Sequence, residues 1–164
     1  MAQRPIDVYL NDHLAGATFG AHLARRLEAE AGGTDFQPTM SQLAVEIEAD
    51  LDTLTDLMKR IGSTKDPTKQ VTTWVAEKAS RVKLSGLTSR NEELGRFLSI
   101  EALSLGVEGK AALWTTLRQL RDQDPELRST DLDDLLQRAQ HQRQALEAMR
   151  MAAARHSLST DGDV

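Results

Sequence analysis

Apolar residues recur at three- and four-residue intervals over four long stretches of the chain, the pattern of helices that each bury one face. In the first stretch Ile6, Leu10, Ala17, Ala24 and Leu27 form a stripe. Pro5, favoured in a first helical turn, and the Gly32-Gly33 pair bracket it, which predicts a helix from Pro5 to about Glu30. The second stripe is Met40, Leu43, Ile47, Leu51, Leu54, Met58 and Ile61, with a Thr39-Met-Ser-Gln42 capping box before it and Gly62 closing it. Beyond Gly62 the pattern changes. Asp66-Pro67 reads as an N-cap followed by a first-turn proline, opening a short helix over 68–82 that carries Val71, Trp74, Val75 and Ala79. A second capping box, Ser89-Arg-Asn-Glu92, starts a third long helix running to about Arg121. The turn Asp122-Gln-Asp-Pro125 breaks it, since proline cannot continue a helix. Thr130-Asp-Leu-Asp133 then opens a fourth, striped by Leu132, Leu135, Ala139, Gln142, Leu146, Met149 and Ala153. Residues 157–164, ending STDGDV, have no stripe and are expected to form a disordered tail on a single domain of residues 1–156.

The third helix is apolar on two sides. Leu94, Leu98, Leu105, Ala112 and Leu120 mark the face assigned to the core, and Ile100, Leu103, Val107 and Trp114 lie opposite. The expected cover for the second face is the short helix bearing Trp74; a subunit interface is the alternative. Short connections pair the first helix with the second and the third with the fourth. The long connection between the second and third can span the bundle. The expected fold class is therefore all-α, a four-helix bundle with a long crossover that contains a short extra helix.

On this scaffold several stretches resemble the ferritin-like family of bacterioferritin and rubrerythrin type. Leu10-Asn-Asp-His-Leu-Ala-Gly-Ala-Thr18 resembles the family's first helix, in which an apolar-Asn opening leads seven residues on to an iron-ligating Glu; here that position is Ala17. Glu46-Ile-Glu-Ala49 to Arg60-Ile-Gly62 resembles the second helix, with Glu46 at the Glu and Ala49 at the His of its Glu-x-x-His motif. Aligned through Leu146-Glu147, the fourth helix puts Ala139 and Gln142 at the same motif, and either Glu101 or Glu108 matches the single Glu of the third. The resemblance implies a ferritin-like bundle. A di-metal centre of that kind needs about four carboxylates and two imidazoles, and most of those ligands are absent here. No metal or other cofactor and no catalytic residue is expected, only weak remnant metal candidates in Glu46, Glu101, Glu108 and His141.

Each polar candidate also has a plainer reading. Glu46 and Asp50, four residues apart, suit a single metal or, more simply, rim carboxylates meeting Arg or Lys. Glu101 and Glu108 lie close enough to the core to require an Arg or His partner unless they stay wet. His13 falls in line with Leu10 and Ala17 as a hydrogen-bonded core histidine, whereas His22 and His156 look exposed. His141, beside Gln142, could reach inward toward Asp50. Gln142, in mid-stripe, is expected to hydrogen-bond across the core to a third-helix Glu. The glycines of Gly106-Val-Glu-Gly109-Lys110 lie inside a helix rather than after a strand, so they suit close helix packing and not a phosphate loop. Arg138, Arg143, Arg150 and Arg155 read as a solvated face.

Composition narrows the function classes. The chain has no cysteine, which removes disulfides, thiolate chemistry and Cys-type zinc sites together. Its net charge is −5 with basic residues scattered among acidic ones, which opposes sequence-independent nucleic-acid binding. It has neither a signal-like apolar run nor a membrane-spanning one, so a cytoplasmic location is expected. The first expectation is a non-catalytic ferritin-like protein that self-associates or binds a protein partner. The second is a metal-binding, metal-storage or oxidoreductase protein with a rearranged site built from Glu46, Glu108 and His141.

Overall fold

The structure, a computed structural model, describes residues 4–63 and 92–158. Four long helices carry the fold: α1 (Pro5–Glu30), α2 (Gln37–Arg60), α3 (Glu92–Gln119) and α5 (Leu132–Ser157). A 3-10 turn (Arg121–Gln123) and the short helix α4 (Pro125–Ser129) join α3 to α5. The described residues are all-α, with no strand. The short helix expected over 68–82, its Trp74 and the Ser89 cap fall outside the described residues.

Local signals set most helix ends. Pro5 takes the first turn of α1. The end of α2 is a Schellman motif: the Ser63 N–H donates to Met58 O (2.8 Å), the Gly62 N–H to Lys59 O (3.1 Å), and Gly62 adopts φ +66°. Its start differs from expectation. The helix begins at Gln37, with Phe36 as N-cap and no side-chain cap bond, so the Thr39–Gln42 box is not used. Pro38 explains this, because its fixed φ already suits a first turn and Thr39 is left inside the helix. Helix α5 is capped by Asp131 rather than Thr130, the Asp131 carboxylate accepting from the Asp134 N–H at 3.0 Å. At its far end Ser157 is still helical and Leu158 is the C-cap, so the first residue of the expected tail belongs to the helix and the second caps it; 159–164 are outside the described residues.

Cross-helix contacts give the directions. Arg4 reaches Gly62 O and Arg25 pairs with Glu48, so α1 and α2 are antiparallel. Arg26 reaches Ser99 near the start of α3, while Leu10 shares a cluster with Trp114 near its end; these two helices are antiparallel too. Glu101 meets Arg150, Glu108 meets Arg143, and Asp133 meets Arg118, which makes α3 and α5 antiparallel. It follows that α2 and α3 point the same way. The segment joining them starts at one end of the bundle and finishes at the other.

The core forms two apolar clusters stacked along the bundle. One gathers Leu23, Leu27, Met40, Leu43, Ile47, Ile100, Leu103 and Val107; the other gathers Leu10, Leu54, Leu57, Leu113, Trp114, Leu117 and Leu132. The buried face of α3 is thus the one carrying Ile100, Leu103, Val107 and Trp114. This reverses the expected assignment, since Leu105 is 41% exposed and Ala112 lies at the surface. The large Trp114 ring is fully buried and fills the interior between the helices, whereas the opposite face carries Ala112 at the surface.

Candidate functional site

Where the two clusters meet, polar side chains replace apolar ones. Asp50 lies between Ile47 and Leu54 on α2, Lys110 between Val107 and Leu113 on α3, and Gln142 between Ala139 and Leu146 on α5. Each occupies a position of its helix's buried stripe. Asp50 and Gln142 are 2% and 1% exposed, and the Lys110 side chain is 11% exposed. Buried polar groups of this kind must satisfy one another.

They do so around the Lys110 ammonium. Lys110 Nζ donates to Asp50 Oδ2 at 2.5 Å and to Gln142 Oε1. The Gln142 amide then donates to Asp50 Oδ2 (3.2 Å) and to Glu46 Oε2 (3.1 Å). Arg138 Nε approaches the other Asp50 oxygen at 3.4 Å. Burial holds the Lys110 ammonium below its ordinary pKa, and the nearby Asp50 carboxylate opposes that effect. Asp50 and Glu46 balance Lys110 and Arg138 in formal charge. The cluster is an ionic network with an amide as its hub, in which Asp50 Oδ1 makes no hydrogen bond and has only the ion pair with Arg138.

The sequence-predicted residues fare unequally. Glu46 is half-buried and belongs to the network, though its partners are Gln142 and Gln42 rather than an Arg or Lys. Asp50, expected at the rim, is one of the most buried polar residues. Gln142 does bond across the core, to Lys110 rather than to a third-helix Glu. Glu108 pairs with Arg143 at 2.9 Å and Glu101 with Arg150 at 3.3 Å, both on the outer surface between α3 and α5. His141 is exposed, whereas Asp50 and Gln142 are buried. Glu46, Glu108 and His141 are therefore not brought together, and no group of three His, Asp or Glu that could hold a metal occurs among the described residues. His13 is half-buried and meets Tyr9 edge-to-face at 4.6 Å, with desolvation lowering its pKa. His22 and His156 are exposed, as expected.

Lys110 is the residue that the sequence reading missed. Its signal was present: Ile100, Leu103, Val107, Lys110 and Trp114 follow three- and four-residue spacing, which puts the lysine in the stripe. The Arg series also divides. Arg143 and Arg150 pair at the surface, while Arg138 turns toward buried Asp50.

Beside the network, a cavity of about 200 Å³ lies between α1 and α3, and Asp50, Lys110 and Trp114 form part of its wall. Among the described residues no helix is long and apolar enough to cross a membrane. Comparison with known protein families, curated proteins and solved structures finds no match to this chain.

Proposed function

We propose that this chain is a ferritin-like four-helix bundle whose centre is held by the Lys110 ammonium instead of a metal pair, and that it acts as a non-catalytic protein through association with itself or a protein partner. Two antiparallel helix pairs, with α2 and α3 running the same way, support the ferritin-like reading, because that arrangement requires one long crossover. The observation that carries the reading is Lys110 among Asp50, Gln142 and Glu46.

The chemistry of the donor set gives this weight. Two carboxylates facing one amide in a buried layer need a cation between them. A lysine supplies one positive charge and three hydrogen-bond donors without any ligand exchange or redox change. Two divalent ions would require about four carboxylates and two imidazoles in the same space. Here Ala17, Ala49 and Ala139 stand at three of the positions that the ferritin-like alignment assigns to ligands, with Gln142 at a fourth. The layer is then a structural ionic core, and function passes to the outer surface. Phe36, Val45, Leu105 and Met151 are apolar side chains exposed there.

Metal analysis of protein purified without chelator, with sedimentation velocity on the same sample, tests both halves of this reading. The expected result is substoichiometric iron, manganese and zinc, together with a self-associated species or one that shifts on adding a partner. Near-stoichiometric metal would overturn it in favour of a rearranged metal site.

A further inference from the structure

Both ends of the connection between α2 and α3 are placed. Gly62 closes α2 beside Arg4, and Glu92 opens α3 at the opposite end of the bundle. Residues 64–91, outside the described residues, therefore connect points separated by the length of α3, about 42 Å for its 28 residues at 1.5 Å each. The interior is filled by the two apolar clusters, which leaves the outer surface for the connection.

The two seams that flank α3 differ in what they offer an apolar segment. The seam with α5 is closed by ion pairs, Glu101 to Arg150, Glu108 to Arg143 and Arg118 to Asp133. The seam with α1 holds the cavity, with Leu105 exposed and Phe19 half-buried in its wall. Four glycines line it as well, Gly16 and Gly20 one turn apart on α1 and Gly106 and Gly109 one turn apart on α3. Glycine is disfavoured inside helices unless another group approaches its backbone closely. Among the described residues none does, since a Cβ built at any of the four meets no atom within 4 Å. The close packing expected for Gly106 and Gly109 is thus not made by α1, and the approaching group belongs to the rest of the chain.

We propose that this cavity is the docking site of the chain's own residues 71–79, with the Trp74 indole received between the two glycine pairs. Trp74 is the sole aromatic residue of 64–91, and Val71, Val75 and Ala79 share its three- and four-residue spacing. An apolar cavity of roughly 150 Å³ accommodates benzene, and about 200 Å³ leaves room for the second ring of an indole. The level agrees too. Gly62 meets Arg4, and Trp74 follows Gly62 by as many residues as Gly16 follows Arg4. Charge favours the same contact. The segment carries Lys65, Lys69, Lys78, Arg81, Lys83 and Arg90 against Asp66 and Glu77, in a chain of net charge −5, and Asp12 lies in the cavity wall. The surface covered is not the one expected for Trp74, because the Ile100, Leu103, Val107 and Trp114 face is already buried in the core. The docking needs only the directions of α2 and α3 and so stands apart from the ferritin-like reading.

The absence of native cysteine makes paired cysteines a clean test. Lys78→Cys, one turn beyond Trp74, is combined with Leu105→Cys in the full chain and oxidised with diamide at micromolar protein concentration. Peptide mass spectrometry and non-reducing electrophoresis read the product. The expected result is a disulfide within one chain in most molecules, cut several-fold by adding Trp74→Ala. Lys78→Cys with Arg143→Cys, on the seam with α5, should give little. Gly109→Cys replaces Leu105→Cys if that variant does not fold. A disulfide formed as readily with Arg143→Cys, one that joins two chains, or a yield indifferent to Trp74→Ala would each overturn the proposal.

Discussion

Replacing Lys110 with methionine keeps the length of the side chain and removes its charge. The Asp50 side chain is 1% exposed and that of Lys110 11%, so solvent cannot take over the lost role. Removing one partner of a buried ion pair typically costs about 3–5 kcal/mol, because it leaves an uncompensated charge in low dielectric. Arg138, 28% exposed and 3.4 Å from the other Asp50 oxygen, supplies partial compensation. The loss should fall near the lower limit, about 3 kcal/mol. For a domain of this size each kcal/mol moves the melting temperature by about 2–4 °C, so a drop of roughly 6–12 °C is expected. Removing both charges should differ: Lys110→Met with Asp50→Leu leaves no stranded carboxylate and should recover much of the loss. Urea unfolding at pH 7, followed by far-ultraviolet circular dichroism, gives the four corners of the cycle. A single variant that loses less than about 1 kcal/mol, or a double variant no better than the single, would refute the claim that Lys110 satisfies a buried Asp50.

Three further outcomes follow from named groups. Burial lowers the Lys110 pKa below 10.5, so between that lowered value and 10.5 the unfolded chain holds more protons than the folded one. The stability difference between the parent and Lys110→Met should accordingly widen as pH rises through that window, and a flat difference would contradict it. The hydrogen bonds from Arg4 hold the Asp7 carboxyl below 3.8, so its stabilisation is complete above 3.8 and lost as pH falls through the folded value. Acid titrations of the parent and Asp7→Asn should converge there, and a gap that persists to lower pH would count against the pairing. Asp131→Ala should cost about 1 kcal/mol by thermal unfolding, since it strips the N-cap of α5; no change would mean that the cap is replaced by another group.

Much of the fold is legible in the chain, because helix periodicity and end signals are local. Pro5 and the region of Gly32 bound α1 as observed, and Gly62 closes α2 through its left-handed backbone. Choices between competing local signals are less legible. Thr39 offers a capping box, but Pro38 draws the helix start three residues earlier, to the N-cap Phe36. Helix α3 is apolar on two sides, and only its neighbours decide that Trp114 faces in and Leu105 out. The polar layer is harder still, because its chemistry is non-local: Asp50 is 60 residues from Lys110 and Gln142 is 32. A lysine between Gly109 and Ala111 reads as solvated until its position in the stripe is counted. Glu108 and His141 show the reverse error. Their residue types suit a metal site, but their helical positions turn both outward.

The claim that an ammonium holds the place of a cation is tested most directly by exchanging its charge. Lys110→Glu would put a third carboxylate beside Asp50 and Glu46, with the Gln142 carbonyl completing an oxygen-rich cluster. Thermal unfolding of the parent and this variant would be measured in chelator and in excess Mn²⁺. The parent should melt at the same temperature in both conditions. The variant should be destabilised in chelator and regain stability with Mn²⁺, by about 2.7 kcal/mol at one hundred times its dissociation constant. A parent that Mn²⁺ stabilises, or a folded variant indifferent to the ion, would contradict the account.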